Sequence, residues 1–208
     1  MTTILLIAAS HYAGRERGPA AGHGTCGAMD EPGWQVADSS YVLDSPYLRI
    51  RRDRIVLPDG SEIEDYYVRE SRGYVIVFAL TDDGSVVLVR QYKHGIGKVL
   101  LELVAGAIDE GEDAHETARR ELAEETGYAA RSIDYVRSFV TDPTNANTIA
   151  HLFVARGAYP AGEQHLDATE DITVVLAPLD ALRELLRSGA IESMPHVGAI
   201  YFMLDGRI

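Results

Sequence analysis

The chain has 208 residues, 19 basic and 32 acidic, for a net charge of −13, with 46% hydrophobic and 25% charged residues. That length suits one domain with a small appendage, and a chain of this size buries roughly two-thirds of its unfolded surface. The acidity argues against a nucleic-acid backbone as partner, no apolar run reaches the ~18 residues of a membrane span, and the lone cysteine, Cys26, excludes an internal disulfide and suits a reducing cytoplasm.

Residues 1–33 read as a poorly structured extension, with Gly14, Gly18, Gly22, Gly24 and Gly27 and little periodicity. The early apolar run ILLIAA has no Lys or Arg before it and makes a poor signal peptide. Met29 stands just ahead of the regular pattern and is the expected translation start. From Trp34 the chain reads as strands. Tyr47–Leu57 ends in the turn Pro58-Asp59-Gly60, and Ile63–Glu70 is its expected hairpin partner. Residues 34–70 thus form an N-terminal β subdomain, and residues 71–208 the main domain.

In that main domain Tyr74–Leu80 is apolar enough for a buried strand, and Thr81-Asp82-Asp83-Gly84 turns the chain into the strand Ser85–Tyr92. Val99–Val104 is a short strand. A strong helix, Asp113 to Thr126, is closed by Gly127. Strands return at Ser132–Thr141, Thr148–Ala155 and Ile172–Ala177, followed by a helix over Leu179–Ser188 and a last helical stretch over Val197–Leu204. Strands with interspersed helices and no internal repeat indicate a layered α/β fold.

Eight of the seventeen residues from Asp109 to Glu125 are acidic. Within the helix, Glu121, Glu124 and Glu125 fall at i, i+3 and i+4, so three carboxylates share one side within about one turn. Like charges at that spacing repel, and they stand in the last turn, where the helix dipole favours cations. A hard divalent ion with oxygen ligands removes both penalties. The opposite side, Ala114, Ala118 and Leu122, is an apolar stripe that can dock on a sheet, and Gly106 and Gly111 let the preceding loop turn tightly. By spacing alone, a solvated face and a metal site both remain open.

The full string GAIDEGEDAHETARRELAEETGY resembles the Nudix box, G-x5-E-x7-R-E-U-x-E-E-x-G-U with U apolar. It matches at Gly106, Glu112, Arg120, Glu121, Leu122, Glu124, Glu125 and Gly127; Tyr128 stands where an aliphatic residue is more usual. Arg90-Gln91-Tyr92-Lys93-His94 and Leu101-Glu102-Leu103-Val104-Ala105-Gly106 are similar to the RQYR and ELPAG stretches of ADP-ribose pyrophosphatases, with Lys93 in place of Arg and Val104 in place of Pro. Leu166–Ile172 resembles the acidic loop that supplies the catalytic base in that group. Pro143 matches a proline of the group, although its neighbours Asp142 and Thr144 are not the usual Ser and Gly.

The resemblance implies an α/β/α sandwich around a mixed sheet, with an N-terminal antiparallel strand subdomain. It implies Mg²⁺, or alternatively Mn²⁺, held by Glu121, Glu125 and the backbone carbonyl of Ala105. Glu124 would assist through water or a further ion, and Glu112 and Arg120 would pair to hold loop against helix, with Gly106 and Gly127 structural. Lys93 and Arg90 are candidate phosphate contacts; Arg90 is equally a solvent-facing strand residue. Lys93 offers a point charge but not the bidentate fork of Arg. Glu170 is the candidate general base, with Asp167 as fallback; where part of the family carries an earlier loop Glu, this chain has Ala168. His115 is expected to be solvated, and His151 and His196 belong to no motif. Trp34, Tyr41, Tyr66 and Tyr67 either stack on a base or pack in a core.

The implied reaction is Mg²⁺-dependent hydrolysis of a nucleoside-diphosphate sugar, with ADP-ribose giving AMP and ribose 5-phosphate. GDP-mannose or another sugar nucleotide is the alternative substrate. A silent, ligand-sensing Nudix domain would bring a missing box glutamate or an attached DNA-binding module, and neither occurs here. An mRNA-decapping role lacks a basic RNA surface. The expected partners are a small-molecule nucleoside diphosphate and a second copy of the chain, joined through strands of Trp34 to Glu70, with no nucleic acid and no membrane. The expected location is the cytoplasm.

Overall fold

The computed structural model describes residues 33–206. The glycine-rich segment ahead of Gly33, Met29 and Cys26 lie outside that range. Among the described residues no helix is long and apolar enough to cross a membrane.

The apolar run of β4 (Tyr74–Thr81) explains the centre of the fold. Every side chain from Val75 to Ala79 is fully buried, because both faces of this strand are covered. Val75, Val77 and Ala79 pack toward one layer, and Ile76 and Phe78 toward the other. This is the period-2 alternation of a strand with two apolar sides. Around it lies a six-stranded sheet in the order β7-β8-β4-β6-β5-β9, with β5 (Ser85–Lys93), β6 (Lys98–Ala107), β7 (Tyr128–Val140), β8 (Ile149–Pro160) and β9 (Ile172–Pro178). The β4–β8 pair is parallel and the other pairs are antiparallel, so the sheet is mixed.

Helix α1 (Ala114–Thr126) covers one face through Ala118 and Leu122. Helices α2 (Leu182–Arg187) and α3 (Met194–Leu204) cover the other through Leu182, Ala199, Ile200 and Met203. The result is the expected α/β/α sandwich. Asp113 caps α1, its carboxylate accepting the His115 N–H at 2.8 Å, and Gly127 ends it with φ 70°. Both ends therefore follow from a cap residue and a residue free to adopt positive φ. Two helical boundaries differ from expectation. Leu179–Ala181 forms a 3₁₀ turn before α2, and α3 begins at Met194, because Pro195 is compatible with a first helical turn.

A separate three-stranded antiparallel sheet precedes this body: β1 (Gln35–Asp44), β2 (Arg49–Val56) and β3 (Glu62–Glu70). The turn at Pro58-Asp59-Gly60 closes β2 on β3, with the Leu57 N–H donating to Ser61 O at 2.8 Å. Only Asp53 and Ile55 in this sheet are buried. Trp34, Tyr41 and Tyr67 are exposed, so core packing does not hold for them within one chain. Trp34 meets Tyr66 edge-on, and Arg49 stacks over Tyr41. The β7–β8 loop joins the small sheet to the body: Arg69 donates to Asn145 O at 2.8 Å, and the Tyr66 hydroxyl donates to Thr144 O.

Candidate active site

The glutamates of α1 lie against β6 because the strand offers them a gap. A Cβ on Gly106 would fall 1.9 Å from Cδ of Glu121, so glycine at this position is demanded by close approach. Gly106 lies within β6 and is not among the glycines with positive φ, which corrects the expected turn role; Gly111, φ 81°, does turn the loop. Glu121 and Glu125 are both buried. The Ala105 N–H donates to Glu125 Oε2 at 3.2 Å.

Burial pushes the Glu125 carboxyl up to about 8, helped by the negative charges of Glu121 and Glu170 and opposed by the Ala105 N–H and Lys93. Burial also raises Glu121, against the pull of Arg120. The two acids are thus held desolvated side by side, which costs free energy unless a cation joins them.

Arg120 is the hub of the remaining box acids. Its Nε and Nη2 donate to both oxygens of Glu112 at 2.9 Å, and Nη1 donates to Glu121 and Glu124 at 2.8 Å each. Nη2 also reaches Ala107 O at 3.3 Å. The guanidinium holds Glu112 down at about 2. This ties the Glu112 loop to the helix.

Among the described residues no three acidic, imidazole or thiol groups stand close enough to hold a metal ion as placed. Arg120 occupies Glu121 and Glu124, and Glu125 is turned onto Ala105. The donor set still fits a hard divalent cation. It consists of carboxylate oxygens, two of them desolvated, beside a strand backbone.

Lys93 stands on the α1 side of β5, near enough to Glu125 to lower its pKa. Its Nζ lies 3.2 Å from Glu102 Oε2 and donates to Gln91 Oε1. Arg90 is exposed and follows Val86 and Leu88 on the alternate face, so the structure does not bring it to the box carboxylates. Glu102 and His196 are a buried pair absent from the sequence reading; Glu102 Oε1 lies 3.4 Å from His196 Nε2. His115 also departs from expectation. Its Nε2 bonds Ile133 O at 2.7 Å, and its ring packs edge-on against Phe153. It docks α1 on β7 while its side chain stays partly exposed.

Residues 161–171 cross the C-terminal end of α1. Ala161 and Gly162 donate to Gly127 O at 2.8 and 3.1 Å, and His165 donates to Glu124 O at 2.9 Å. Gln164 Nε2 donates to Glu125 O at 2.6 Å and Ile172 O at 3.2 Å. These bonds satisfy carbonyls that a helix end leaves open. A Cβ on Gly127 would lie 2.5 Å from Gly162 O, so this glycine also seats the loop. Beyond the seat, Asp167 and Glu170 close a turn: the Glu170 N–H donates to Asp167 O at 2.9 Å, and the Asp167 N–H donates to the Glu170 carboxylate at 3.0 Å. The charge of Glu170 is felt at Glu121 and Glu125, so the turn lies near the box.

Comparison with known proteins agrees with this geometry. Residues 70–197 match the model of the NUDIX domain, and residues 34–68 that of the nucleoside diphosphate sugar hydrolase N-terminal domain. The chain is 32% identical to a methanol dehydrogenase activator of Bacillus methanolicus, over 78% of this chain and 88% of that protein. It is 31% identical to an ADP-ribose pyrophosphatase of Bacillus subtilis, over 72% of this chain and 80% of that one. A crystal structure of an ADP compounds hydrolase shares the fold with a TM-score of 0.74 at 23% identity, covering 84% of this chain and 97% of that one. With the box intact on its helix and the N-terminal sheet ahead of it, the chain belongs to the Nudix hydrolase family, in the group that resembles ADP-ribose pyrophosphatases.

Proposed function

We propose that the protein hydrolyses the diphosphate bond of a nucleoside-diphosphate sugar, with ADP-ribose giving AMP and ribose 5-phosphate. One observation carries the reading: two desolvated carboxylates, Glu121 and Glu125, meet the β6 backbone near a loop acid, Glu170, with Lys93 alongside. In this reading Glu121, Glu125 and the Ala105 carbonyl hold Mg²⁺ or Mn²⁺, and Glu124 assists. Bound there, the cation supplies positive charge against the diphosphate and acidifies a water. Lys93 binds a phosphate oxygen, with Glu102 setting its direction. Glu170 takes the proton of the attacking water, its carboxylate aimed by the Asp167 N–H. The water oxygen bonds to one phosphorus as the bridging P–O bond breaks. Arg120 and Glu112 keep the box loop on the helix. The working unit combines residues 34–70 with 71–208 as a cytoplasmic homodimer.

A panel of nucleoside-diphosphate compounds with Mg²⁺, read as kcat/KM, tests the substrate class. Within it, Glu170→Gln should lower kcat by about 10²–10⁴-fold, the contribution of a positioned general base. Asp167→Asn keeps the backbone N–H that holds Glu170 and should cost less than about tenfold. If Asp167→Asn proves more damaging than Glu170→Gln, the base is misassigned.

A further inference from the structure

We infer that Gln164 is a positioning residue that fixes the distance between the metal-binding glutamates and the loop acid Glu170. The inference rests on the reading of Glu170 as general base. Gln164 brings two elements together with one amide group. Its Nε2 has two hydrogens, and it donates to Glu125 O on α1 and to Ile172 O at the start of β9. Glu125 carries the buried carboxylate of the site, and Ile172 follows Glu170 by two residues. The clasp therefore closes the loop at both ends: the strand leaving Glu170 is tied to the helix turn that carries Glu125.

The loop is also anchored at its exit by the sheet, where Ile172 pairs with Gln91 and is buried in the α1-side core, and at its entry by the end of α1. Ala161, Gly162 and His165 bond the helix end, and Leu166 packs against the α1 layer of the core. Without Gln164, the hydrogen bond between α1 and the exit from the loop is gone, which leaves the packing of Ile172 and the Asp167 turn to place Glu170. Gln164 itself is exposed, so it contributes little to the core. Its loss should be felt in the position of Glu170 and hardly in the fold. Glutamate at this position is the sharper change. It keeps the shape of the side chain but sets a carboxylate against two carbonyl oxygens, where no donor remains.

The test is a double-mutant cycle with ADP-ribose and saturating Mg²⁺, using Gln164→Ala, Gln164→Glu, Glu170→Gln and the doubles. A displaced catalytic group can cost about a hundredfold, so Gln164→Ala should lower kcat by about tenfold to a hundredfold, and Gln164→Glu by more. KM, the Mg²⁺ midpoint and the melting temperature should stay near wild type. Because Gln164 acts through Glu170, adding Gln164→Ala to Glu170→Gln should cost nothing further. The inference is overturned if Gln164→Glu keeps wild-type kcat, or if the two losses multiply in the double variant. A silent Glu170→Gln with a damaging Gln164→Ala also overturns it and at the same time removes the base reading. A damaging Glu170→Gln with a silent Gln164→Ala overturns the clasp alone.

Discussion

Gly106 and Glu121 occupy what would be one volume in any other sequence: a β-carbon on the glycine would fall 1.9 Å from the glutamate carboxyl carbon and 2.0 Å from its Oε1. The atoms it would meet are the end of the buried Glu121 side chain, so the carboxylate is what gives way. Gly106→Ala must push Glu121 off its place while leaving the carboxylate chemically intact. A displacement of about an ångström costs on the order of a hundredfold in rate. The variant should stay folded by circular dichroism, lose about that factor in kcat/KM and show a weaker Mg²⁺ midpoint. Wild-type rates from Gly106→Ala would mean that Glu121 is not a working ligand.

The raised Glu125 makes metal binding depend on pH. In the metal-free protein burial pushes its carboxyl up to about 8, from an ordinary value of 4.5. A folded-state pKa above the unfolded one means stability present below pH 4.5 and lost as pH rises toward about 8. A cation needs the ionised form, so its binding must expel this proton. Apparent Mg²⁺ affinity should therefore rise about tenfold per pH unit below 8 and flatten above it. Calorimetry in buffers of different ionisation enthalpy should detect about one proton released at pH 7, and Glu125→Gln should release none. A proton count near zero for the wild-type chain would contradict the burial argument.

Much of this was legible from local pattern. The apolar run of β4, the Gly127 cap and the Glu121/Glu125 spacing are each written within a few neighbouring residues, and each appears where the pattern places it. What was missed depends on long separations. Gln164 meets Glu125 across 39 residues in a polar loop without periodicity, and His196 meets the Leu103 N–H across 93. Glu102 sits in an apolar run, LELVA, where a lone acid gives no hint of its partners. Strand β1 shows no alternation because all ten of its residues are exposed in the single chain, so neither face has to be apolar throughout. The motif picks out Gly106 but not its physical reason, since a turn glycine and a close-approach glycine look alike in sequence.

The exposed N-terminal sheet bears on assembly. Val36, Tyr41, Val42 and Leu43 of β1 are all open, and only Asp53 and Ile55 of its sheet are buried. So thin a core leaves three strands marginal in water. A second copy of the chain is the proposed cover. Light scattering at micromolar concentration should give about twice the chain mass of 22.7 kDa. Val42→Arg should shift the species toward monomer and lower the melting temperature. A monomeric wild-type protein would count against the dimer.

His196, Glu102 and Lys93 stand in a row of interacting groups. The Leu103 N–H donates to His196 Nδ1 at 3.2 Å, so that nitrogen carries a lone pair and the ring proton sits on Nε2. Nε2 faces Glu102 Oε1 at 3.4 Å, while the other oxygen of Glu102 lies 3.2 Å from Lys93 Nζ. One carboxylate thus stands between a neutral imidazole and an ammonium. Burial pulls the imidazole down to about 4; the Glu102 charge opposes this and the Lys93 charge adds to it. A histidine with its folded pKa below the unfolded 6.5 binds its proton more weakly in the fold. Its contribution to stability is full above pH 6.5 and is lost as pH falls from there toward about 4. A shift of this size is worth on the order of 3 kcal/mol across that window. His196→Asn keeps an acceptor for the Leu103 N–H but cannot titrate. Its stability should therefore change less than wild type between pH 6.5 and 4, despite a lower starting value. Denaturant melts at several pH values measure this directly. Protonation of His196 should also draw Glu102 toward the imidazole and loosen Lys93, so KM for the diphosphate should rise in wild type over the same window. An equal pH slope in the two proteins would show that His196 titrates as an ordinary solvated imidazole.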